Sequence, residues 1–466
     1  MKPPKETRRV EGRCRLEGSP YGGARDRTQS RVTLTAPLAR VNEAAARDKQ
    51  TRFTALLHHV TTDALGRAFR RLRRSAAAGI DGTTVAAYEQ DLMVHIKDLH
   101  ERVHTGRYRP KALRRVYIPK ADGGQRPLGI PALEDKIVQG AVAEVLNAVY
   151  ETDFMGFSYG FRPCRGPHDA LDAVHTAVMS QRVNWVLDAD IRSFFDSVDH
   201  EWMLRMLAHR IADPRILRLV RGWMRAGVLE KKEWKQTTRG TPQGAGISPL
   251  LANIFLHYAL DLWVHQWRRR HARGRVVVIR YADDFVMGFQ YEDDARKMRI
   301  ALEERLTKFS LALHPDKTRL IEFGRLPMLR RAQRGERRPA TFAFLGFTHY
   351  CARSRDGRFV CKRRTQGTRM SSKLQNLRVE ARSRMHAPVP EQHRWLCSVL
   401  LGHDAYYGLP SNHHALASFH DEVRRIWFRA LSRRSQRSLT WVDFNALTVR
   451  LPLPEPRITH ARKACC

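Results

Sequence analysis

The stretch Val276-Val-Val-Ile-Arg-Tyr-Ala-Asp-Asp-Phe-Val-Met-Gly-Phe289 decides the fold. Two apolar runs flank a pair of adjacent acids, which is the pattern of a tight β-hairpin with Asp283 and Asp284 at its tip. Tandem aspartates inside apolar strands are costly, because like charges repel and burial penalises both, unless cations neutralise them. Magnesium suits such a site, since it takes hard oxygen ligands and is held by one or two carboxylates plus a substrate's phosphates. Taken alone, the pair reads equally well as the polar turn of an exposed hairpin.

Upstream, Trp185-Val-Leu-Asp-Ala-Asp190 is a second apolar strand ending in acid, and Ser193-Phe-Phe-Asp-Ser-Val leads from it into a helix. If the two strands lie side by side, Asp190 and Asp283 would bridge a pair of ions roughly 3.5–4 Å apart. Such a pair stabilises the attacking and leaving oxygens of an in-line phosphoryl displacement.

Earlier still, Arg115-Val-Tyr-Ile-Pro-Lys120 predicts a strand ending at Pro119, and Asp122-Gly-Gly124 supplies turn chemistry before Arg126-Pro-Leu-Gly-Ile-Pro131. Lys120 and Arg126 thus flank one turn. Ile137, Val138, Val142, Val145, Leu146 and Val149 recur at helical spacing. Residues 1 to about 50 lack periodicity and read as a flexible basic leader. Beyond the strand-like Phe342–Phe347, three helical segments are expected near 371–386, 392–408 and 414–435. The class is α+β, with a mixed domain over 51–355, a helical one over 356–450 and a tail over 451–466.

Charge narrows the partners. The 466 residues hold 83 Lys and Arg against 47 Asp and Glu, a net +36 that a polyanion would neutralise. Nucleic acid is the natural one, because each phosphate met by Lys or Arg releases counterions. No apolar run approaches the roughly 18 residues of a spanning helix, so no membrane partner is expected. The seven cysteines show no zinc spacing and no disulfide framework, which suits a reducing cytosol. His349, Cys351 and Cys361 are accordingly read as ordinary side chains.

The ordered set Arg126-Pro-Leu-Gly-Ile-Pro131, Ser158-Tyr-Gly-Phe-Arg162, Asp190 with Phe194-Phe-Asp196, Pro242-Gln-Gly244 with Ser248-Pro249, Tyr281-Ala-Asp-Asp284 and Phe344-Leu-Gly-Phe347 resembles the reverse transcriptases of bacterial group II introns. The resemblance covers roughly residues 75–455. It implies a right-hand polymerase with an antiparallel palm sheet, followed by a helical thumb and maturase domain. By position it makes Asp190, Asp283 and Asp284 the catalytic acids holding two Mg²⁺ ions, with the Ile191 carbonyl as a further ligand. Lys120 and Arg126 match contacts to the nucleotide's phosphates, Phe195 the gate against a ribose 2′-OH, Gln243 a contact to nucleotide and template, and Lys317 a lysine that protonates the leaving pyrophosphate.

Each has a plainer reading from the residues alone: Lys120, Arg126 and Lys317 as surface charges, Phe195 as a core aromatic, and Gly240–Gly246 as a flexible loop. Arg424, Arg425, Arg429, Arg433 and Arg434 form a basic helical stretch that suits RNA or is a solvated face. The partners implied are the intron RNA, an RNA template with a DNA primer, dNTPs and target DNA, in splicing and mobility. No nuclease cluster of His, Asn and Cys follows, so target cleavage is not expected. Two rivals stand beside this reading. One is a reverse transcriptase of retron, diversity-generating or CRISPR-associated type, and the other is an RNA-binding splicing factor without polymerase activity.

Overall fold

The computed structural model describes residues 34–119, 124–230, 233–236, 239–241, 244–336, 340–434 and 439–460. Lys120 and Gln243, two of the expected nucleotide contacts, lie outside the described residues, as does most of the expected leader. Within that leader, however, α1 (Ala36–Arg47) is a formed helix. Leu38, Val41 and Ala45 recur at three and four residues and are buried, and Asn42 donates to the Ala148 carbonyl at 2.8 Å. A short periodic run therefore has a core face to satisfy, which is why it does not stay flexible.

Two compact units form, one from residues up to Ala177 with Trp185–Leu320, the other from Val178–Asn184 with residues from Ile321 onward. In the first, α2 (Thr62–Arg70), α3 (Val85–Glu89) and α4 (Leu92–His104) precede the hairpin β1 (Leu113–Pro119) and β2 (Gln125–Ile130). Helix α2 starts where the Thr61 side chain accepts the Ala64 N–H. Helix α5 (Leu133–Tyr150) is buried on nearly every side, as its apolar sequence requires. There follow α6 (Pro167–Ser180), β3 (Trp185–Asp190), α7 (Phe194–Ser197), α8 (His200–Ala208), α9 (Pro214–Arg225), β4 (Val228–Glu230), β5 (Glu233–Lys235) and α10 (Ser248–Leu256). A π turn, His257–Asp261, leads into α11 (Leu262–Arg270), then β6 (Val276–Tyr281), β7 (Asp284–Phe289), α12 (Glu292–Thr307) and β8 (Arg319–Glu322).

One four-stranded sheet has the order β2-β1-β4-β5 and a second the order β6-β7-β3-β8, with β6, β7 and β3 antiparallel. A single apolar core runs from α1 through α5, β3, α10 and β7 to Leu311. It backs one face of the second sheet through Leu187, Val278, Phe285 and Met287, and Val186, Ile279 and Val286 on the other face are buried as well.

The second unit contains α13 (Arg325–Gln333), a sheet of β9 (Thr341–Phe344), β10 (Phe347–Arg353) and β11 (Phe359–Thr365), and helices α14 (Gly367–Ser383), α15 (Val389–Tyr407), α16 (His413–Ser432) and α17 (Trp441–Arg450). Its own core gathers Leu377, Leu396, Leu400, Phe419, Val423, Trp427 and Phe444. Strand β11 falls inside the stretch expected to be helical; alternate Cys361, Arg363 and Thr365 side chains are buried against β10, a period of two that the run of basic residues hides. Among the described residues no helix is long and apolar enough to cross a membrane.

Candidate functional site

Strand β7 pairs with β6 as Tyr281↔Asp284 and with β3 as Asp190↔Asp284. Directly opposed residues of an antiparallel pair project to one face, so Asp190 and Asp284 stand together at the open end of the sheet. Asp283 occupies the two-residue turn beside them, after Ala282, whose φ of 58° lies in the left-handed region. Burial pushes the Asp283 carboxyl above the usual carboxylate range. The Asp190 charge adds to that rise, while the Asp283 backbone N–H and the charges of Arg126 and Arg280 oppose it. The cluster is thus short of positive charge.

One cation from the chain itself already stands there. Lys317 donates from Nζ to Asp190 Oδ2 at 2.6 Å, and this bond, together with the charges of Asp190, Asp284 and Asp283, holds its ammonium above the ordinary lysine value. Two residues along the chain from Lys317 and from Asp190, Arg319 meets Asp188 at 3.5 Å. Burial pushes the Asp188 carboxyl up to about 6, the Arg319 charge opposing and the Asp190 charge adding to the rise. Among the described residues no three His, Cys, Asp or Glu side chains form a ready-made metal cage.

The turn is braced from behind. Arg280, fully buried, reaches Asp261, Asn253, Ser158 and the Ala282 carbonyl. The Ser158-Tyr-Gly-Phe-Arg162 segment lies along the hairpin, with Tyr159 N–H donating to the Arg280 carbonyl at 2.8 Å and Arg280 N–H to the Phe157 carbonyl at 2.9 Å. Sequence reasoning singled out that segment as a motif and passed over Arg280. The signal was present, a lone charge in an otherwise apolar strand.

Around this core, Ile191 is buried and bridges Leu313, with His314 N–H donating to the Asp190 carbonyl at 2.8 Å. Phe195 is half-buried on α7, edge-to-face with Phe194 at 5.5 Å. Its carbonyl accepts Thr241 N–H at 2.7 Å, which ties the Gly240 loop to the same end of the sheet. Gly244, at φ 104°, approaches β2 so closely that a Cβ would lie 2.9 Å from the Gly129 carbonyl oxygen. Only glycine serves there. Arg126 is exposed on β2, opposite Ile118, and its charge reaches Asp283.

In the second unit, Arg424, Arg425 and Arg429 are exposed on α16, and Arg433 and Arg434 at its C-terminal end. Arg424 donates to Asn445 Oδ1 at 2.6 Å and Arg425 to Glu422 Oε1 at 2.7 Å. Tyr406 is packed, its hydroxyl donating to the Leu345 carbonyl at 2.9 Å. Cys351 and Cys361 face each other across β10 and β11, buried, with thiols pushed up by burial to about 11 and about 12.

Comparison with known proteins adds the following. Residues 118–349 match the model of the family described as reverse transcriptase (RNA-dependent DNA polymerase). Protein YkfC of Escherichia coli is 35% identical over 59% of this chain and 81% of its own length. The group II intron-encoded protein LtrA of Lactococcus lactis is 38% identical over 38% of this chain, which spans 29% of LtrA. Nuclear intron maturase 3 of Arabidopsis thaliana is 26% identical over 28% of this chain and 18% of its own.

Proposed function

The chain belongs to the reverse transcriptase family, the RNA-dependent DNA polymerases, in the group II intron-encoded branch with its maturases, and from that premise we propose that Asp190, Asp283 and Asp284 hold the metal ions of its nucleotidyl transfer. The observation that carries this reading is the register Asp190↔Asp284 with the half-buried Asp283 in the turn beside it. Three carboxylates at one open sheet end, with Lys317 standing where a cation is wanted, fit a divalent ion completed by phosphate oxygens.

When bound, such ions supply Lewis acidity to the primer 3′-OH and to the nucleotide's α-phosphate. The chain's own residues do the remainder. Asp190 and Asp283 would hold the ions, Asp284 would add charge at the same face, and the Ile191 carbonyl would be a further ligand. Arg126 on β2 pairs the triphosphate, together with Lys120. Phe195 excludes a ribose 2′-OH, and Gln243 is the residue that contacts nucleotide and template. Lys317, which donates to Asp190 at 2.6 Å, is the residue that would protonate the departing pyrophosphate.

The first unit carries the fingers and palm, and the helices of the second carry the thumb and maturase region. The exposed arginines of α16 are the second observation, and they favour a non-catalytic activity. Bound to intron RNA, they would stabilise its folded form by linkage and so assist splicing and mobility.

The test is DNA-primer extension on an RNA template with Mg²⁺ and dNTPs, comparing the wild-type chain with Asp283→Asn. Synthesis by the wild type and its loss in the variant are expected. Equal synthesis by both contradicts the site assignment.

A further inference from the structure

Arg280 is the single charged residue of β6, and its guanidinium is wholly buried. A buried arginine persists only when its five N–H donors are all matched. Here they meet five acceptors. Nε and Nη2 donate to Asp261 Oδ1 and Oδ2 at 2.7 and 2.6 Å. Nη2 also donates to Ser158 Oγ at 2.8 Å, and Nη1 donates to Asn253 Oδ1 at 3.0 Å and to the Ala282 carbonyl at 2.9 Å.

Charge balance needs only Asp261. The other three bonds go to neutral groups, and those groups surround the hairpin tip. Asn253 turns its Nδ2 onto the Gly160 carbonyl at 2.7 Å, and Gly160 lies so close to the Ala282 amide that no side chain fits between them. Arg280, Asn253, Gly160 and Ala282 thus form a closed circuit around the turn. Ala282 sits at φ 58°, a conformation unfavourable to an L-residue that persists only where its surroundings over-determine it.

We propose that Arg280 is a positioning residue: by gripping the Ala282 carbonyl it fixes the left-handed turn that presents Asp283 beside Asp190 and Asp284, so that three repelling carboxylates keep their places for the incoming cation. The proposal rests on the reading of Asp283 as a metal ligand. It separates from a merely space-filling role, because a buried ion pair exchanged for apolar residues of similar volume often leaves stability unchanged or raised. The bond to Ala282 has no such substitute.

The test uses the full chain with two variants. Arg280→Met combined with Asp261→Leu removes both charges and keeps the volume, and Arg280→Lys keeps the charge without the fork. Three quantities are measured: thermal unfolding, Mn²⁺ affinity by electron paramagnetic resonance without nucleic acid, and kcat and KM for dNTP in RNA-templated primer extension. The double variant should melt within about 5 °C of the wild type. Its Mn²⁺ affinity should fall about 10-fold and its kcat about 100-fold, with KM changed less than about 3-fold. Arg280→Lys should not restore kcat.

A folded variant with wild-type kcat and Mn²⁺ affinity overturns the proposal. If the double variant does not fold, Arg280→Lys decides by the same two readouts. Asp283→Asn is run in parallel: retained synthesis there overturns the metal-site reading itself. Its loss, together with unaltered Arg280 variants, overturns only the positioning role.

Discussion

The hairpin neighbourhood of the first unit and the arginine-bearing helix α16 of the second both carry dense charge, and they treat it differently. Arg280 and Asp261 are almost wholly shielded from solvent, and each donor is matched to a fixed acceptor. On α16, Arg424, Arg425 and Arg429 are exposed on long stems, over the helix's buried Val423, Trp427 and Ala430. A buried charge fixes geometry because any displacement strands it without a partner. An exposed one holds no geometry but reaches a polyanion. The first arrangement suits a chemical step and the second suits affinity.

The sharpest way to break that contrast is to remove a carboxylate. Asp190→Ala should lower RNA-templated synthesis at least about 10³-fold by kcat, because it removes both a proposed metal ligand and the partner of Lys317. The change should leave RNA binding in a filter or fluorescence assay intact.

Next in size is stability. Asp261→Ala leaves Arg280 buried and unpaired, and should cost about 3–5 kcal/mol in denaturant unfolding. The same truncation at Glu422, which pairs with exposed Arg425, should cost less than about 1 kcal/mol.

The pH response sharpens the comparison further. The Asp188 carboxyl, raised to about 6 in the folded chain from an ordinary 3.8, keeps a proton that the unfolded chain releases. Stability from this group is therefore full below pH 3.8 and is lost as pH rises through about 6, by up to roughly 3 kcal/mol. Asp188→Asn should flatten that segment of the stability–pH curve, measured by urea unfolding between pH 4 and pH 7. A curve that keeps its wild-type slope would contradict the burial argument.

The smallest expected effect on the fold lies on α16. Gln at 424, 425 and 429 together should shift stability by only about 0.5 kcal/mol per site. The slope of log affinity for intron RNA against log salt should fall in magnitude by roughly 2, one term of about 0.7 for each lost phosphate contact. An unchanged slope would assign these arginines to a solvated face.

What could be read from residues alone follows from local periodicity. The run Val276–Phe289 declared its hairpin because two apolar strands enclose two acids, and Asp190 declared itself as an acid ending a strand. The register did not. Pairing depends on contacts nearly a hundred residues apart, and only it shows that Asp284, rather than Asp283, stands opposite Asp190. Arg280 stayed hidden for the same reason, since three of its four partners, Ser158, Asn253 and Asp261, come from outside the hairpin. Helix α1 was missed because only three residues of a twelve-residue helix are buried, too few to stand out in a basic leader. Strand β11 was obscured by Lys362, Arg363 and Arg364, whose charges mask an alternation of buried and exposed positions.

The central claim is that the hairpin acids and Asp190 receive divalent ions for copying RNA. Its most direct test is a count of bound Mn²⁺ by electron paramagnetic resonance in a complex of the full chain with an RNA template, a chain-terminated DNA primer and the next dNTP. The wild type should hold about two ions per chain, and Asp190→Asn combined with Asp283→Asn should hold none beyond the nucleotide's own. Equal occupancy in the two would contradict the account.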